Sequence, residues 1–537
     1  MASRSYKQMF LDNKNEIFVI IIYHILSQGL MLFLTGRWCD DWCVVNMSKE
    51  GMLQWACELG RPDVFPCLWF VERLPTVFYR VFVFLSYFII ALCFYFVAKK
   101  VFSYNNAKAL ILVLVYMAVP VNDIRIIRTY MPYTLGLLFY CIAFLLIVYW
   151  YDNFSFFKRI TVLVFFFFSF ILNSLLVFYC LVLLYILMKE RSFKGVICKF
   201  DFICLPIVFF ILKTIFFSSH GVYSGYNKVS FASLMLAIKN VFTAGRLMLQ
   251  NVTLSLLARP VIVCSVVIAF YILYFVFDKY KPEWYVTYVG GEVEAGNNMA
   301  LFFVGVIMLL AGLFPYVVVR HSPNIALSDF NGRDAILVPF GISVMFTCVL
   351  YSLCNRRTII VLVAVFMLSG MSFFTFQYID YQAVNYWDRG LQENLKRNPE
   401  LANKKTIYIV GDGFKGRKPW YWGLNFYQYN GIFEEVYSDE TRFVFDQYSN
   451  GAFFDTEGSF NSAEIKEREW YNMSNYDTSH KGVDAVVMYS NTIGLRQSVK
   501  LRYKELLGTK ISGELVRNSS IKITYPSMEE FYEYIKQ

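Results

Sequence analysis

The apolar positions of this chain fall into long blocks separated by short polar stretches. Ile160–Met188 and Val261–Phe277 are almost uninterrupted apolar runs, and a membrane crossing takes about 20 such residues. The blocks predict eleven spans, at about 16–35, 81–98, 107–121, 131–150, 159–172, 174–188, 202–219, 260–277, 300–319, 335–354 and 358–377. Beyond about 378 the pattern changes. Strand-like runs, Thr406–Val410 and Ala485–Met488, alternate with helix-like stretches in a polar background. The expected fold class is mainly α: a polytopic transmembrane helix bundle over residues 1–377, with a first outer loop at 36–80. A soluble α/β domain over 378–537 follows it.

The polar stretches orient the bundle. Arg4/Lys7/Lys14, Lys99/Lys100/Lys108, Lys158/Arg159, Lys189/Arg191/Lys194/Lys199, Lys279/Lys281 and Arg356/Arg357 fall in one alternating set of loops. Basic residues in short loops mark the cytoplasmic side. The N-terminus is then cytoplasmic and uncleaved, because no small-residue cleavage site follows the first apolar run. Loops 36–80, 122–130, 220–259 and 320–334 and the C-terminal domain fall outside.

The stretch 159–188 is too long for one crossing. As a single helix it would reach about 43 Å against a hydrocarbon core of about 30 Å. It also carries basic residues at both ends. Asn173-Ser174 at its middle predicts two short helices that turn back, the alternative being one long tilted helix.

Composition strengthens the membrane reading. The 537 residues are 57% hydrophobic, 19% aromatic and 17% charged, whereas a soluble domain is nearer a quarter charged. The net charge of +10 reflects mainly the orienting loops, so no nucleic-acid partner is expected.

One segment carries candidate chemistry: Gly36-Arg37-Trp38-Cys39-Asp40-Asp41-Trp42, just beyond the first span. Adjacent carboxylates repel each other and are costly to desolvate beside a membrane. A cation, a metal or a proton-transfer role would offset that cost. The duller reading is that one aspartate caps a helix starting near Trp42. Arg37 and two tryptophans expected at the membrane interface flank the pair.

The layout resembles the GT-C superfamily of membrane glycosyltransferases. Those enzymes have many spans, a long first outer loop with acidic residues near its start and an amphipathic helix, and often a soluble outer domain at the C-terminus. Here the Asp40-Asp41 loop, the stretch Val44–Leu59 and the tail from about 378 correspond. The similarity is strongest to bacterial enzymes that decorate lipid-linked or surface polysaccharide. It implies a multi-pass protein of the bacterial inner membrane that moves a sugar from a polyprenyl-phosphate donor to a glycan or glycolipid acceptor. A divalent metal on Asp40 and Asp41 is an option, since some members use one and others do not. No other cofactor is implied.

The residue types suit that chemistry. A carboxylate raised by partial burial can accept the proton of an acceptor hydroxyl, with Asp41 the first choice and Asp40 the second. Arginine binds a phosphate leaving group through paired, permanently charged donors. The outer loops supply Arg125 and Arg128, three apart and so on one face of a helical turn, together with Arg320-His321 and Arg333-Asp334. Snorkelling to lipid headgroups is the plain alternative for each, and Arg333-Asp334 could be an internal ion pair. Arg37 and Trp42 are expected to support the loop.

Other features weigh less. Gly411-Asp412-Gly413-Phe414-Lys415-Gly416 matches a dinucleotide fingerprint after a strand, but Pro419 follows too early for a good helix. A glycine-rich turn is the better reading. The aromatic run Trp420–Tyr429 suits sugar stacking or a core. Four of the twelve cysteines, Cys39, Cys43, Cys57 and Cys67, lie in the first outer loop, where one or two disulfides are expected. Competing functions are a transporter or flippase for lipid-linked sugars and a polysaccharide polymerase or ligase. A transporter would place ionisable groups at mid-membrane, and the expected spans are nearly free of them.

Overall fold

The computed structural model describes residues 6–44, 47–224, 298–319, 330–411, 426–446, 475–480, 482–527 and 529–531, with isolated positions between them. The principal helices are α1 (Lys14–Gln28), α2 (Asp41–Val44), α3 (Lys49–Glu58), α4 (Phe65–Arg73), α5 (Thr76–Val101), α6 (Asn106–Ala118), α7 (Met131–Trp150) and α8 (Phe156–Ser169). They continue with α9 (Cys180–Glu190), α10 (Phe200–Phe216), α11 (Asn298–Val318), α12 (Val338–Leu353), α13 (Arg356–Lys396), α14 (Phe426–Tyr437), α15 (Leu495–Leu506) and α16 (Ser512–Arg517).

Among the described residues, five segments are long and apolar enough to cross a membrane: Lys14–Phe33, Thr76–Val101, Arg128–Asn153, Asn298–Val318 and Arg356–Lys396. Their outward surface is greasy. On α11, Phe303, Ile307, Leu310 and Phe314 form an exposed stripe at helical spacing, a surface that favours hydrocarbon over water. Among the described residues, five such helices stand against the eleven expected spans. With 13 and 16 residues, α6 and α12 cover about 20 and 24 Å at 1.5 Å per residue. The expected span 260–277 lies outside the described residues, apart from isolated positions.

The stretch 159–188 turns back on itself. Tyr140 on α7 meets Phe166 of α8 on one side of the turn and Phe178 on the other. Further along α7, Phe144 and Tyr151 meet Tyr185 of α9, so α9 runs parallel to α7 and α8 runs against both. The turn falls at 170–173, next to Asn173. Elsewhere the bundle closes by direct backbone approach. A Cβ on Gly341 of α12 would lie 2.5 Å from Leu309 N and 2.7 Å from Gly305 O of α11, so only glycine permits this crossing.

The last span does not stop at the end of the bundle. α13 runs unbroken for 41 residues, about 60 Å, straight through the expected domain boundary at 377/378. Its far end packs on a four-stranded sheet ordered β2-β1-β3-β4. These strands are β1 (Thr406–Gly411), β2 (Phe443–Asp446), β3 (Ala485–Asn491) and β4 (Ser519–Thr524). β1 pairs in parallel with β2 and β3, and β4 closes one edge antiparallel to β3. Leu391 and Leu395 of α13 join Ile407, Ile409, Val487 and Tyr429 in one core. Tyr408, Phe443, Phe445 and Val486 build a second core on the opposite face. Burial on both faces is what near-continuous apolar strands such as β1 require.

Candidate functional site

Beyond Phe33 the chain turns sharply at Cys39, whose φ is 49°. A residue with a side chain is disfavoured in this left-handed region by roughly 1–2 kcal/mol, so the surroundings hold it there. The turn sets Asp40 and Asp41 at the start of α2, and their carboxylates enter different surroundings.

Asp41 is fully buried. Its Oδ1 accepts from the Thr129 amide at 3.0 Å and its Oδ2 from the Trp38 amide at 3.3 Å. Burial pushes its carboxyl up to about 6, against the opposing pull of Arg128 and Arg80. Arg80 is also fully buried. It donates to Gly36 O at 3.2 Å and lies 4.7 Å from the centre of the Trp38 ring. Arg128 pairs with Glu72 at 3.3 Å and donates to the Thr76 hydroxyl. Burial raises the Glu72 carboxyl as well, countered by Arg128 and Arg37.

Asp40 is only half-buried. Its Oδ1 accepts from the Tyr427 hydroxyl at 3.2 Å. Burial raises its carboxyl above the usual range, while Arg333 and hydrogen bonds from Tyr427 and Tyr130 pull the other way. Arg333 sits 3.5 Å from the Tyr130 hydroxyl and 3.5 Å from Asp334. Asp40, Tyr130, Tyr427 and Arg333 therefore form a partly open cluster carrying a carboxylate, two phenols and a guanidinium. Such a set can take a proton and hold an anion.

The first loop is fastened to the sheet end of the molecule. Trp42 is buried in the same core as Leu391, Ile407 and Tyr429. Arg37 pairs with Glu435 of α14 at 3.0 Å. Trp38 is buried too, and its indole N–H donates to Tyr381 O at 2.8 Å. Both tryptophans are thus packed within protein, not set at a lipid interface. The expected helix-cap role gives way to contacts over longer range.

Comparison with known proteins adds no assignment. No family model matches the chain, and no curated protein matches its sequence.

Several expected relations change in the folded chain. Arg125 and Arg128 do not share a helical face. Ile127 between them is extended, with φ −76° and ψ 129°, and breaks the turn into two. Arg128 points to Glu72, whereas Arg125 lies between the rings of Tyr87 and Phe374, at 4.4 and 4.5 Å. Arg333 and Asp334 form an ion pair. Arg320 and His321 lie outside the described residues, as do positions 412–425 of the glycine-rich and aromatic segments. Of the aromatic run, Tyr429 is core and Tyr427 reaches Asp40.

The four loop cysteines are free thiols. Cys43 sits in a small core with Val44, Met52 and Trp55, and Cys39 packs against a different one. Among the described residues no group of three or more His, Cys, Asp or Glu side chains is placed to hold a metal. Each Asp41 oxygen is engaged by one backbone amide.

Sequence reasoning missed Arg80, Glu72, Thr129, Tyr130 and Tyr427. Arg80 had a signal: it is a charge directly before an apolar span, where placement is costly. Tyr427 lay in the aromatic run Trp420–Tyr429, but its contact with Asp40 had no signal, because it depends on the packing of α14.

Proposed function

We propose that this chain is a membrane glycosyltransferase of the GT-C type, acting on the outer face of a bacterial inner membrane. In this reading the bundle has about eleven spans, the N-terminus is cytoplasmic, and the sheet-bearing region is an α/β domain outside. The donor is a sugar on a polyprenyl phosphate, and the acceptor is a glycan or glycolipid. The observation that carries the proposal is the half-buried Asp40, raised by burial and acted on by Arg333, in one cluster with Tyr130 and Tyr427.

In the proposed reaction the acceptor hydroxyl oxygen bonds to the anomeric carbon of the sugar. The bond from that carbon to the phosphate oxygen breaks, and the phosphate leaves with the electron pair. Asp40 takes the hydroxyl proton. Arg333 meets the negative charge that grows on the phosphate. Asp41, Arg80, Arg128 and Glu72 hold the loop in shape, so the base role passes from Asp41 to its neighbour. No step uses a metal.

Mass spectrometry of surface glycans from cells with and without the protein tests the proposal. A missing hexose-sized branch is the expected result. Loss of all long polymer would overturn it in favour of a polymerase. Unmodified carrier trapped inside the cell would overturn it in favour of a flippase.

A further inference from the structure

Arg125 is 7% exposed, and among the described residues no carboxylate pairs with it. Its guanidinium lies between the rings of Tyr87 and Phe374. Its Nε is buried without a hydrogen-bond partner. The Arg125 carbonyl accepts from the buried Tyr79 hydroxyl at 2.7 Å, so the backbone is fixed and the side chain is held in place.

The guanidinium lines a cavity of about 30 Å³, together with His24, Gln28, Tyr116, Asn122 and Pro339. None of the lining residues is Asp or Glu, and neither Asp40, Asp41, Arg128 nor Arg333 borders it. Gln28 accepts from the Tyr378 hydroxyl at 2.5 Å through its carbonyl oxygen, which leaves its amide nitrogen as a donor. Asn122 spends one amide hydrogen on the Tyr87 hydroxyl, at 2.6 Å, and keeps a second. The wall therefore combines one full positive charge with neutral donors and two aromatic faces.

A buried cation without a counter-charge is unfavourable, and ring faces offset only part of that cost. Water could serve the Arg125 N–H groups, but water brings no charge. We infer that this cavity is a binding site for a small monovalent anion of halide size, separate from the paired-aspartate site. The single positive charge sets the valence. The space, about 30 Å³, is two to three times the about 10–15 Å³ that one water needs by the same measure, so a halide fits.

The test uses the full chain in detergent, exchanged from gluconate into chloride or bromide at constant ionic strength. Ligand that binds only the folded state raises the melting midpoint in a saturable way. The expected result is a saturable rise for wild type with either halide, abolished in Arg125→Gln and retained at weaker affinity in Arg125→Lys. Broadening of the ³⁵Cl magnetic resonance line by wild-type protein, reversed by bromide, is expected in parallel and does not depend on any variant folding. A flat response and no broadening would overturn the site. Equal halide dependence in wild type and Arg125→Gln would do so too. Inorganic phosphate that displaces chloride would overturn the halide assignment and return Arg125 to a phosphate role. The outcome is independent of whether the chain transfers sugars.

Discussion

Asp40 and Asp41 are neighbours in the chain and opposites in the fold. Around Asp41 everything is closed: two amides take its oxygens, and two buried arginines stand against it. Around Asp40 the surroundings are phenols and a partly exposed guanidinium. The difference teaches that two acids in one motif can divide the work. One shapes the loop, and the other is left available for chemistry.

The sharpest way to break this contrast is Asp41→Ala. It removes the buried carboxylate that faces Arg80 and leaves Arg128 with Glu72 alone, and removing one partner of a buried charge pair costs about 3–5 kcal/mol. The melting midpoint should fall far more than for Asp40→Ala, which removes a half-buried group and should cost about 1 kcal/mol or less. Equal losses in the two variants would erase the distinction.

A smaller effect sharpens the Asp40 side. Its carboxyl is raised, and a base acts only when ionised. Transfer should therefore fail as pH drops through a value above the ordinary carboxylate range of about 4. The Tyr427 hydroxyl favours the ionised form, so Tyr427→Phe should move this acid limb to still higher pH, with a rate loss of a few-fold at neutral pH. The limb should stay put in Arg37→Ala. That change removes part-exposed pairs with Glu435 and Glu72 and should cost about 1 kcal/mol or less. A pH–rate profile for the three proteins separates these outcomes.

How much of this was readable from the chain depends on the range of the interaction. The spans announce themselves because hydropathy is a local sum, and the turn near Asn173 follows from basic residues at both ends of one apolar block. β1 and β3 are apolar enough to stand out. β2, four residues long, and β4, whose exposure alternates along an edge, are not. The pairing of Arg125 with Arg128 went astray because helical spacing was assumed across Ile127, which is extended. Trp42 was placed at a lipid interface because its position beside a span suggests one. Its true neighbours, Leu391 and Ile407, lie some 350 residues away in sequence, and no local pattern encodes them. The cluster of Asp40, Tyr130, Tyr427 and Arg333 is of the same kind: four separate segments meet only when α13 and α14 are in place.

The central claim is that Asp40 is the working carboxylate. It is tested most directly by the transfer rate of Asp40→Asn, measured beside its melting midpoint. The account predicts a midpoint close to wild type and a rate lower by roughly 10²–10⁴, the usual contribution of a positioned base. A folded Asp40→Asn protein that transfers sugar at the wild-type rate would contradict it.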